Sequence, residues 1–171
     1  MLAELIRQRA VGAVVVLHDP AAVEVARQAG AGGRFECAVG GRVDRLHGEP
    51  VHVRGVVHSL YGGTWVEDQA RHGGLRFNDQ GPTAIVTIDG PNTLILNSLR
   101  TPPFSLGQLT SLGIDPAQQA ILVVKAAVAY KAAYGPIAAS VIEVDTPGLT
   151  AIDPARFDFR HICRPMFPLD E

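Results

Sequence analysis

The sequence predicts a mixed α+β fold in which βαβ units share a mixed sheet with an antiparallel β-meander or half-barrel, and three stretches predict it. Residues 121–149 (ILVVKAAVAYKAAYGPIAASVIEVDTPGL) read as strand, short helix, strand, and form the core of the prediction. Branched aliphatics over 121–124 suit a buried strand, the alanine-rich run 126–134 suits a helix, and Gly135-Pro136 stops it before the aliphatic run 137–144. Residues 2–30 hold a second α/β unit. Residues 34–98 change character to short alternating strands punctuated by glycine turns.

Taken in order, Leu2, Leu5, Ile6 and Arg9 fall at helical spacing, and residues 11–17 (VGAVVVL) follow as a fully apolar strand. Asp19 is a good N-cap and Pro20 a good first helical residue, with Gly30 at the stop of the helix over 21–29. Gly30, Gly32 and Gly33 follow a helix instead of preceding one, so they read as a stop and turn, not a phosphate loop. Phe35, Cys37 and Val39 share one strand face, which makes Cys37 a reduced core thiol; Gly40-Gly41 ends that strand. Val51, Val53, Gly55 and Val57 form the core face of the next, with His52, Arg54, Val56 and His58 on its outer face. At a rise of about 3.3 Å per residue those two histidines lie roughly 20 Å apart, too far to share a metal ion.

Residues 61–74, with Gly62-Gly63, Trp65 and His72, read as a polar, irregular and mobile surface loop. Strands are expected at 75–77, 83–88 and 93–96, the last two joined by a hairpin through Asp89-Gly90-Pro91-Asn92. Ser105 and Gln108 fit a capping box ahead of Leu106, Leu109 and Leu112, and Gly113 ends that helix. The tail to Glu171 is loop-like and proline-punctuated, packed down by Phe157, Phe159 and Phe167. One domain over 1–171 is expected, its β-rich meander at about 34–98 inserted between α/β segments 1–33 and 104–150.

Composition limits the function classes. At 171 residues with 47% hydrophobic and 19% charged residues, the chain can bury a core without staples and does not resemble a disordered one. A net charge of -2, with Lys and Arg scattered, gives no footprint for nucleic acid or an anionic membrane. No apolar run approaches the ~20 residues that span a bilayer. The first ten residues, MLAELIRQRA, are amphipathic and charged, unlike a signal h-region, and a soluble cytoplasmic protein is the expectation.

The search for chemistry returns little. HExxH, GxSxG, a P-loop and a GxGxxG after a strand are all missing. Of six histidines, His18 (beside Asp19) and His47 (near Asp44 and Glu49) have carboxylate neighbours in loop surroundings, where a solvated or locally hydrogen-bonded imidazole is the commoner state. Lys125 is the most pointed candidate. It stands where a strand should end and a helix begin, the place at which open α/β sheets bind ligands. Its ammonium, with amides of the following helix, would hold an anion such as a carboxylate; the alternative is an exposed lysine that ends a strand.

Five phrases in order, GGRVDRLHGEP (40–50), NDQGPTAIV (78–86), LGIDPAQQAILVVKAAVAYKAAYGPIA (112–138), VDTPGLT (144–150) and CRPMFPLD (163–170), resemble the C-terminal domain of the microcystinase C family of zinc metallopeptidases. Members are related to the enzyme that cleaves the linearised cyanobacterial peptide microcystin. The resemblance implies a catalytic zinc, and its ligands, in a separate and larger N-terminal domain; nothing in residues 1–39 matches that domain, so no catalytic residue, metal ligand or cofactor is carried over to this chain. It implies substrate-side residues on the matching segments: Lys125, Tyr130 and Lys131 on one, Asp44 and His47 on the other. The family pattern K-S-x-x-H-F-R-A-A-F keeps its lysine here, but Ala126 and Ala129 stand at the serine and histidine positions. That departure removes a polar contact wherever the histidine reaches the cleft.

The expected role is therefore an accessory domain that packs on a zinc metallopeptidase domain, walls one side of its cleft and binds part of a peptide, without turnover of its own. The alternative is a self-sufficient module that dimerises through a meander edge and holds a small anion at its βαβ end. A large bare apolar patch discriminates between them, because it points to a missing partner domain.

Overall fold

The structure is a computed structural model that describes residues 1–44, 46, 48–69, 75–88, 91–146, 148 and 153–170. Helix α1 (Leu2–Arg7) leads into strand β1 (Ala13–His18), and α2 (Pro20–Ala29) follows at once. The Asp19 side chain accepts from the Ala22 amide at 3.0 Å, and Gly30 takes φ 71° at the stop, so both ends of α2 form as their residue types dictate. Then come β2 (Arg34–Val39), β3 (Val51–Tyr61), β4 (Thr64–Val66), β5 (Phe77–Asp79), β6 (Thr83–Ile88) and β7 (Asn92–Asn97). Helix α3 (Gly107–Thr110), the edge strand β8 (Ile121–Val123) and helix α4 (Tyr130–Tyr134) complete the regular elements used here. Among the described residues no helix is long and apolar enough to cross a membrane.

Six strands form one mixed sheet in the order β2-β3-β6-β7-β1-β8, and β4 and β5 form a separate antiparallel pair. β1 runs parallel to both neighbours, with Val15 opposite Leu94 of β7 and Val123 of β8, while the other pairings are antiparallel. Side chains alternate across the sheet. Val15, Val86 and Leu94 face α2 through Ala22, Val23 and Ala26, whereas Val14, Ile85 and Ile95 face Leu109 and Leu112 near α3 and Tyr134 of α4.

The sheet is curled. β1 and β2 stand four places apart, yet the carboxylate of Asp19, just past β1, accepts from the Gly40 amide, just past β2, at 2.9 Å. α2 touches β2, β3, β6 and β7, so the sheet wraps around it. The bend lies in β3, whose register shifts between Val57 and Ser59 as it passes from pairing with β2 to pairing with β6. Such a bulge adds to the ordinary right-handed twist. Gly55 permits the crossing, since a Cβ there would lie 2.1 Å from the Thr87 carbonyl oxygen. The meander is thus an open, curled sheet and not a closed barrel.

Three expectations are corrected. The strand-helix-strand unit over 121–144 does not form: β8 covers Ile121–Val123, α4 covers only Tyr130–Tyr134, and residues 138–146 join no sheet. A parallel crossover needs a dozen or more residues, usually helical, and the five-residue α4 rises only about 7 Å. The chain is not carried back along β8, so the second strand has no edge to pair with. The parallel trio β7-β1-β8 is instead assembled from segments distant in sequence. Residues 61–74 are not all irregular, because β4 lies among them and buries Trp65; residues 70–74, including His72, lie outside the described residues.

The capping box is half made. Ser105 Oγ accepts from the Gly107 amide at 2.9 Å, but the Gln108 side chain donates to Gln80 Oε1 at 3.2 Å instead of reaching back. Burial on α3 gives the Gln108 amide a better partner than a solvated helix start. In the hairpin joining β6 and β7, Ile88 pairs with Asn92, while Asp89 and Gly90 lie outside the described residues.

Candidate functional site

Gly135 ends α4, and the chain then doubles back in extended form, bringing residues 141 and 143 opposite the face that carries Tyr130 and Lys131. Tyr130, Lys131, Gly135, Val141 and Glu143 line a shallow cleft of about 520 Å³. Three polar groups meet in it. The Tyr130 hydroxyl donates to Glu143 Oε1 at 2.8 Å, and Lys131 Nζ stands 3.8 Å from the same oxygen. The Lys131 ammonium also lies 6.0 Å from the Tyr130 ring centroid, at the outer limit of a cation–π contact.

Both ionic partners are exposed, with side-chain accessibilities of 63% for Lys131 and 73% for Glu143, so their attraction is screened and contributes little to stability. Their value lies in what they present. The Tyr130 pKa is raised, first by its hydrogen bond to Glu143, then by desolvation and the nearby negative charge. The phenol therefore remains a protonated donor at neutral pH. A phenol oxygen, a cation and a carboxylate thus meet beside the apolar Val141. The cleft's lining contains no nucleophile with a base beside it.

The five residues expected on the substrate side separate. Tyr130 and Lys131 come together in the cleft. Lys125 stands exposed just past β8 and does not line it, and the helix expected to start beside Lys125 begins only at Tyr130. Asp44 sits on the loop after β2, where its carboxylate accepts from the Leu46 amide at 2.7 Å; it is not among the cleft residues. His47 lies outside the described residues. Sequence reasoning missed Glu143 and Val141, although Glu143 is the only charge in the run 137–144, a signal that could have marked it.

His18 and Asp19 are occupied structurally. His18 Nε2 is 3.3 Å from the Ser98 carbonyl oxygen, a partner 80 residues away and not the neighbouring Asp19. Its neighbour Asp19, 2% exposed, caps α2 and accepts from Gly40 and, at 3.3 Å, from Arg42 Nε. A second hollow of about 370 Å³ is lined by Val23, Arg27, Leu60, Tyr61, Pro82 and Thr83; its one cation, Arg27, is paired with Glu24 at 3.0 Å. Among the described residues, no three His, Cys, Asp or Glu side chains gather as a metal-holding group.

A third polar cluster ties β4 to α3. Ser105 Oγ accepts from Trp65 Nε1 at 3.3 Å and also pairs with the Glu67 carboxylate, while the Tyr134 hydroxyl donates to the Ser105 carbonyl oxygen at 3.2 Å. Burial, with Glu67 nearby, pushes the Tyr134 hydroxyl up to about 12.

The family model described as MlrC C-terminus matches residues 1–161. Microcystinase C from Sphingomonas sp is 26% identical over 154 residues, which cover 90% of this chain but 28% of that protein. The crystal structure of a putative metallopeptidase from Mesorhizobium sp. BNC1 superposes with a TM-score of 0.85 at 30% identity, covering 99% of this chain and 34% of that one. The chain thus spans about a third of the length of these relatives.

Proposed function

We propose, from the premise that this chain belongs to the MlrC C-terminus family, that it is the non-catalytic companion of a metallopeptidase domain and lends that domain one wall of a peptide-binding cleft. The observation that carries this reading is the asymmetry of coverage. Nearly all of this chain, 90%, aligns with 28% of Microcystinase C, so the sequence corresponds to one part of a longer architecture. Catalysis belongs to the remainder. The metal implied by a metallopeptidase needs three or four convergent donors, and this reading assigns them to that remainder.

In this role Lys131 presents a cation and the Tyr130 hydroxyl oxygen, whose proton goes to Glu143, an acceptor to the peptide, and Glu143 orients both. Lys125 and Asp44 lie outside that cleft and are proposed as outer substrate contacts only. Metal content and peptidase activity of the purified chain test the reading. Zinc well below one equivalent and no zinc-dependent peptide hydrolysis are expected, and stoichiometric zinc with turnover would overturn it.

A further inference from the structure

Residues 140–144, Ser-Val-Ile-Glu-Val, have the composition of a strand but belong to no sheet. Val141, Ile142 and Val144 are β-branched, a preference that ordinarily reflects a pleated, half-buried surface. Here Ile142 is 84% exposed and Val144 56%, and Val128 beside α4 is 69% exposed. Among the described residues, no backbone amide from 139 to 144 donates to a backbone carbonyl. An extended segment with open backbone groups and outward aliphatic side chains is a template for strand addition.

We propose that residues 140–144 are a docking strand, which pairs backbone to backbone with a strand of the larger domain that the longer relatives possess. This rests on the companion-domain reading given above and adds the joint through which the companion is held. The occupant follows from two facts. The family match runs through this segment to residue 161, and the relatives carry roughly two thirds of their length outside the region shared with this chain. Alternation along the segment fits a double duty. Val141 and Glu143 line the cleft with Tyr130 and Lys131, leaving Ile142 and Val144 for the partner. One strand would then both join the domains and set the cleft wall at their boundary.

Hydrogen exchange read by mass spectrometry tests this on two intact proteins: this chain over a series of concentrations, and the full-length Mesorhizobium protein. Amides 140–144 of this chain are expected to exchange at free-peptide rates at every concentration. The aligned amides of the longer protein are expected to exchange at least about a hundredfold more slowly, as paired strand amides do. Free exchange in the longer protein would overturn the proposal. Protection in this chain that grows with concentration would give the strand to a second copy, and protection at all concentrations would give it to a partner within the chain; either result also overturns it. None of these outcomes decides the companion-domain reading, which rests on metal and turnover.

Discussion

Tyr134 shows how far one side chain's surroundings can move its chemistry. It is 5% exposed, and its hydroxyl donates to a carbonyl while Glu67 lies close by, so ionisation is opposed first by burial and then by like charge. Its pKa rises from 10.0 to about 12. The fold therefore favours the protonated phenol. Stability from this group is complete below pH ~10, where the unfolded chain is also protonated, and is lost as pH climbs through ~12, a total on the order of 2 kcal/mol. Denaturant midpoints of the wild type should fall across that window more steeply than those of Tyr134→Phe, and equal slopes would contradict the assignment. Tyr130 is raised by a different cause, its bond to the Glu143 carboxylate, which is a property of the cleft and not of the core.

At the scale of elements, the short pair β4 and β5 is anchored to the rest of the fold through contacts with α3 and the residues before it. Two three-residue strands are marginal alone. Trp65 is 7% exposed because it lies over Gly107, where a Cβ would come 2.5 Å from the indole Cδ1. Gly107→Ala should therefore displace the indole or α3 and cost about 1–3 kcal/mol, the usual range for overpacking. Fluorescence of the single tryptophan reports the shift directly, and an unchanged spectrum with unchanged stability would refute the contact. The same element explains what could be read in the sequence. Ser105 was legible as a cap because capping is local, whereas the Gln108 to Gln80 bond spans 28 residues and was not.

For the molecule as a whole, Asp19 is where the curl of the sheet is fastened. Its two oxygens receive the Ala22 amide at the start of α2 and the Gly40 amide and Arg42 guanidinium beyond β2. Asp19→Ala removes a helix cap and leaves the Gly40 amide without that acceptor, so a loss of about 2–4 kcal/mol is expected by chemical denaturation. Asp19→Asn retains an acceptor for Ala22 and should lose about half as much. Equal losses for the two variants would mean that the fastening of β2 alone matters and that the cap contributes nothing.

The sequence by itself determined the local events: where α2 begins and ends, the alternating faces of β2 and β3, the apolar run of β1 and the cap at Ser105. Each depends on neighbours a few residues away, and propensity, period and capping report such neighbours faithfully. It also carried the family resemblance, which the match over residues 1–161 bears out. Tertiary structure alone decided the rest. Whether residues 137–144 became a strand depended on a sheet edge that α4 was too short to deliver, and the pairing of Glu143 with Tyr130 and Lys131 arose because that segment turned back instead of crossing over. A β-branched run states a preference for a pleated surface; only the packed molecule determines whether one is within reach.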